Sequence, residues 1–148
     1  MMMTAEALLK RQSGGLFHVS EKMCLDDCIG VMIEKNVGAV VVLDDDKKLR
    51  GIISERDILR CMHEHMEGIR EIPVSEAMTP ESRLIGVQKD DHVANVMDKM
   101  TANSIRHILI FDGDTFRGLA SIRDVVQILL DNALLENKQL MDYVYQAY

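Results

Sequence analysis

The chain has 148 residues, 47% of them hydrophobic and 4% aromatic, and a formal net charge of −7. An acidic chain with so few aromatics argues against a nucleic-acid surface, whether a basic track or a stacking platform. The length suits one compact core shared by two half-sized units, and the longest apolar run, residues 37–43, falls far short of the roughly 20 residues a membrane-spanning helix needs.

Residues 1–15 are predicted as a short N-terminal helix and linker. Residues 1–9 contain Glu6, lack an early basic stretch and show no cleavage site, so no secretory leader is expected. Leu25, Cys28, Ile29, Met32 and Ile33 then recur at helical spacing, with Asp26 and Asp27 near the positive helix end. Residues 37–43 (VGAVVVL) form a short, β-branched run expected of a buried strand. Asp44, Asp45 and Asp46 supply turn chemistry, after which residues 50–57 (RGIISERD) end a strand at Ile53 and open a helix.

The whole pattern then repeats. Asp90 and Asp91 precede a helix marked by Val93, Val96, Met97 and Met100, and residues 108–111 give the buried strand. Asp112, Gly113 and Asp114 make the turn, and residues 117–124 (RGLASIRD) nearly copy residues 50–57. The halves align in constant register apart from one extra residue in the first hairpin loop, so a duplicated unit is the primary reading. Each unit reads strand, helix, strand, strand, helix, giving an α/β chain with repeats at 16–72 and, linker included, 73–132. Residues 125–130 continue the second motif's helix, and residues 133–148 are assigned to a C-terminal helix. There Leu134, Leu135, Leu140, Met141, Val144 and Tyr148 give an amphipathic pattern. Such a face either pairs with another molecule or folds back on its own domain, and the 11 methionines favour an adaptable interface.

The three cysteines, Cys24, Cys28 and Cys61, are odd in number and lie in helix patterns, which fits a reducing cytoplasm. Cys61, His63 and His65 fall short of a metal set, because positions two apart do not share a helix face and Cys61 with His65 gives two ligands. The four-residue spacing of a zincin fails as well, since Glu67 stands four after His63. With no Walker loop, dinucleotide fingerprint or nucleophile elbow, no catalysis is expected.

Chemistry concentrates at the duplicated Gly-apolar-x-Ser-x-x-Asp. A strand ending at Ile53 or Ala120 delivers a serine to a helix N-terminus, where backbone N–H groups and the dipole favour a phosphate or another polar oxygen. The aspartate one turn later, Asp57 or Asp124, is able to accept two hydrogen bonds from a vicinal diol such as a ribose. One copy alone equally reads as a capping box that satisfies its own helix end. Recurrence of the same glycine, serine, arginine and aspartate favours the binding reading.

These residues resemble the signature of the CBS domain, named for its occurrence in cystathionine β-synthase. Two matches in register, extending from Leu16 to about Asn132, resemble a stand-alone tandem pair of the kind found in small bacterial proteins. The resemblance implies two repeats packed as one pseudo-two-fold domain, flanked by a short N-terminal and a longer C-terminal helix. It implies adenosine-nucleotide binding in clefts between the motifs, with AMP, ADP, ATP, NAD(H) or S-adenosylmethionine as ligand. By the same resemblance Asp57 and Asp124 hold ribose hydroxyls, Ser54 and Ser121 support ribose or phosphate, and backbone near Val19, Ala39, Val87 and Ile108 reads the adenine edge. Arg106 and His107 stand where such pairs carry phosphate-contacting bases, whereas the first repeat has Gly38 and Ala39 there. Arg106 and His107 serve the second cleft, reach the first or bridge both, and the cleft around Asp124 is favoured. Arg56 and Arg123 flank the aspartates and either assist there or face solvent, and His107 reads equally as a strand-edge residue.

The expectation is therefore a non-catalytic nucleotide sensor, homodimeric and cytoplasmic, with no nucleic-acid, membrane or metal partner. The alternative is a scaffold with empty clefts that contacts an unidentified protein.

Overall fold

The computed structural model describes residues 3–11 and 17–147. Residues 12–15 of the expected linker, the expected repeat start at Leu16 and the apolar Tyr148 lie outside the described residues. The chain is mixed α/β and divides into two units: Gly14–Ile85, and Met1–Ser13 together with Gly86–Tyr148.

In the first unit, β1 (His18–Ser20) leads into α2 (Leu25–Lys35), β2 (Ala39–Leu43), β3 (Leu49–Ser54) and α3 (Glu55–Glu64); α1 belongs to the other unit. The apolar face of α2 buries Leu25, Cys28 and Met32. Asn36 ends the helix in the left-handed region at φ 52, its N–H donating to the last carbonyls, and the chain reverses into β2. All five residues of β2 are buried, which explains why its sequence is an unbroken apolar run. The sheet order is β1-β2-β3-β4, where β4 is Thr79–Pro80, with β1 parallel to β2 and the other pairs antiparallel. The β2–β3 turn closes on Asp44, whose Oδ1 accepts from the Asp46 and Lys48 N–H groups at 2.9 Å. After α3, α4 (Val74–Ala77) inserts Val74 into a core containing Val19, Leu25, Cys28, Val40, Val42, Ile53 and Cys61. The short strand β4 (Thr79–Pro80) then adds to the edge of β3, pairing Thr79 with Ile52 and Pro80 with Gly51. Residues 73–85, assigned from the sequence to the second repeat with its linker, fall within the compact unit Gly14–Ile85.

The second unit repeats the plan: β5 (Gly86–Gln88), α5 (Val93–Ala102), β6 (His107–Asp112), β7 (Thr115–Ser121) and α6 (Ile122–Gln146), in sheet order β5-β6-β7. Val93, Val96 and Met100 of α5 and Val125 and Ile128 of α6 face the core. One feature departs from the sequence reading. The helix expected to restart at residue 133 is one uninterrupted helix from Ile122 to Gln146, because no glycine, proline or cap breaks it. The N-terminal helix α1 (Ala5–Lys10) packs within the second unit. Ala5 and Glu6 donate to the carbonyls of Asp91 and Lys89 at 2.8 and 2.9 Å, and Arg11 pairs with Asp131. Leu9 lies over Gly118 so closely that a Cβ there would stand 2.5 Å from its Cδ2.

Candidate functional site: two carboxylate motifs at helix starts

Ser54 ends β3 with extended backbone (φ −120, ψ 166) and caps α3. Its N–H and Oγ both donate to Oδ2 of Asp57 at 2.9 Å, and the Asp57 N–H donates back to Ser54 Oγ at 3.3 Å. Ser121 and Asp124 repeat the arrangement at the start of α6 with the same three distances, 2.9, 2.9 and 3.3 Å. The capping reading of Ser-x-x-Asp is therefore realised in both copies. The next helical N–H is also occupied: Glu55 donates to the Gly38 carbonyl at 3.0 Å and Ile122 to the Arg106 carbonyl at 2.8 Å. Internal bonds thus take up backbone donors at both helix starts that the sequence reading offered to a phosphate.

The free edges of the two carboxylates differ. Oδ1 of Asp57 accepts from Thr79 Oγ1 at 2.8 Å and from Arg60 Nη1 at 3.3 Å, and Asp57 is only 4% exposed. Asp124 is less deeply buried, and its Oδ1 accepts from no protein donor among the described residues.

Most sequence-nominated residues gather at these starts. Ala39 is the register partner of Ser54, and His107 that of Ser121, with Gly38 and Arg106 one residue before them. Ile108 pairs with Ala120, one rung further on. Val19 pairs with Val42 and Val87 with Ile110, so these two lie farther along their sheets, their side chains buried in the cores. Arg56, Arg106 and Arg123 have exposed side chains, and His107 is half-buried. Thr79 and Arg60 were missed by the sequence reading. Arg60 was findable, since position i+3 on a helix faces Asp57. Thr79 was not, because β4 brings it in from 22 residues away.

The cysteine and histidine cluster has no such geometry. Burial pushes the Cys28 thiol up to about 11 and raises that of Cys61. Both therefore stay protonated near neutrality, as core thiols do. Cys61 Sγ lies 3.8 Å from His65 Nδ1, and no group of three ligand residues is placed to hold a metal ion among the described residues.

Two α/β units of one plan, each with a serine-aspartate box where a strand meets a helix, define a tandem repeat protein of a single α/β module. The sequence profile of the CBS domain matches residues 15–64 and 66–131, and the chain belongs to the CBS-domain family as a tandem pair. It is 35% identical over 124 residues to a mitochondrial CBS domain-containing protein, CBSX3, of Arabidopsis thaliana, covering 82% of this chain and 60% of that one. The chain thus spans less than two thirds of that relative's length. Among solved structures, the CBS-domain protein ATU1752 of Agrobacterium tumefaciens superposes with a TM-score of 0.77 at 28% identity, covering 85% of this chain and 93% of that one. CBSX2, solved in complex with AMP, gives a TM-score of 0.73 at 22% identity over 88% of this chain and 98% of its own, a likeness of fold. No helix among the described residues is long and apolar enough to cross a membrane.

Proposed function

We propose that this CBS pair is a non-catalytic regulatory module that senses an adenosine nucleotide. The carrying observation is Asp124: a carboxylate fixed on one side by Ser121 and, among the described residues, open on the other, where a vicinal diol needs two acceptor positions. Arg106 and His107, adjoining Ser121 across the β6–β7 ladder, are suitable partners for a phosphate. Arg56 and Arg123 flank the two aspartates as secondary candidates. The CBSX2 complex with AMP lends support by showing that this fold accommodates such a ligand. AMP, ADP, ATP, NAD(H) and S-adenosylmethionine are all candidates.

Thermal shift with each of them, followed by calorimetry, tests the reading. A ligand at 100 times its dissociation constant stabilises the native state by about 2.7 kcal/mol. Asp124→Ala removes hydrogen bonds to a charged acceptor worth about 1.5 to 3 kcal/mol, so affinity falls roughly tenfold or more. No stabilisation by any of the six at millimolar concentration rejects the sensor.

A scaffold that acts through protein contacts is the second reading, favoured by the helix-start donors and the Asp57 carboxylate being satisfied within the protein. In either reading we place the chain in the cytoplasm, where buried, unpaired Cys28 and Cys61 persist as thiols. We also infer a homodimer through the outer turns of α6, which expose Leu134 (59%), Leu140 (66%), Met141 and Val144. Removing residues 132–148 is expected to convert a dimer to monomer or aggregate in light scattering; a full-length protein that is monomeric at high concentration rejects the dimer.

A further inference from the structure

The two motifs share a local geometry but not a vacancy. A carboxylate offers about four acceptor positions. Asp57 fills them with the N–H and Oγ of Ser54, Oγ1 of Thr79 and Nη1 of Arg60. Asp124 receives only the N–H and Oγ of Ser121 among the described residues. Thr79 is no passing neighbour, because its strand is hydrogen-bonded to β3 through the Ile52–Thr79 and Gly51–Pro80 pairs. Gly51 is the complementary device: a Cβ there would stand 2.3 Å from the Thr79 carbonyl oxygen, so only glycine lets β4 approach this closely.

We infer that Asp57 is a latch and not a diol site: the Thr79 hydroxyl, with Arg60, occupies the carboxylate edge a ligand would need, and the bond fastens β4 to the start of α3. Thr79 thereby sets which of the two copies binds. A ribose meeting the first motif has to displace a 2.8 Å hydrogen bond to a nearly buried group, whereas one meeting the second displaces no donor from among the described residues. The diol ligand goes to Asp124.

The diol assignment rests on the sensor reading, but the latch does not, and the test separates them. Hydrogen exchange of the ligand-free protein is compared for wild type, Thr79→Val, Asp57→Asn and Asp124→Asn. Thr79→Val keeps the shape of the side chain and removes its donor, so it serves even if Asp57→Asn fails to fold. Amides of residues 49–54 and of Thr79 are expected to exchange about tenfold faster in Thr79→Val, and to keep the wild-type rate in Asp124→Asn. Wild-type exchange in Thr79→Val overturns the latch. Calorimetry with AMP then follows. Loss of AMP binding in Asp124→Asn with retention in Thr79→Val supports the assignment of the diol, and an equal loss in both overturns it. If wild type takes up none of the six candidate nucleotides, exchange alone decides the latch and the sensor reading has failed separately.

Discussion

Residues 50–57 and 117–124 fold into the same box with matching hydrogen-bond lengths, yet what lies against the two β-strands differs in kind. Gly51 in β3 is covered by another strand, whose backbone and threonine hydroxyl bring polar atoms to the motif. Gly118 in β7 is covered by α1, which presents the isobutyl group of Leu9. Duplication thus preserved the chemistry written in eight contiguous residues, while the segment arriving from elsewhere in the chain changed what each carboxylate is left to do.

The comparison is broken most directly at the glycines. Gly51→Ala places a methyl group against backbone that cannot rotate away, and is expected to cost about 3 kcal/mol, the upper end of overpacking. Gly118→Ala meets the tip of a leucine that is able to change rotamer, and should cost about 1 kcal/mol. Urea denaturation of the two variants measures the difference, and equal losses would show that strand and helix covers are equally yielding. A smaller effect is expected at the basic residues. Arg106→Ala should weaken AMP by about 1 kcal/mol, roughly fivefold, and leave adenosine unchanged, with the gap closing at high salt. Equal losses for both ligands would make Arg106 a residue that shapes the site without reading phosphate.

The smallest effect concerns the tether of α1. The hydrogen bond from Arg11, with help from Gln127, holds the Asp131 carboxyl below its usual range. The native state then binds this proton less tightly than the unfolded chain. The contribution to stability is present above the ordinary carboxylate pKa and is lost as pH falls through the depressed value. Arg11→Ala should flatten this part of the acid limb of a stability-pH curve, whereas an unchanged limb would mean the pair contributes nothing in solution.

What could be read from the sequence was local. The all-apolar β2, the Asp44 turn and both Ser-x-x-Asp boxes follow from residues within a few positions of one another. The location of α1 and the grip of Thr79 on Asp57 depend on partners brought together by the fold, and no periodicity marks them. The continuity of α6 was partly legible, since residues 131–146 contain no glycine or proline. Dividing it at residue 133 followed the end of the repeat rather than any break in backbone preference.

That continuity gives α6 a mechanical property. Its 25 residues make a rod about 37 Å long at 1.5 Å per residue, gripped by the core near one end through Val125 and Ile128. Asp124 sits in the first turn, at the short arm. A tilt of about 5° at that end would displace the far end by roughly 3 Å. That is about half a helical turn, comparable with the helix shifts through which many proteins switch. On the sensor reading proposed above, the helix would act as a pointer, converting a contact too small to reshape a core into a movement large enough for another surface to register.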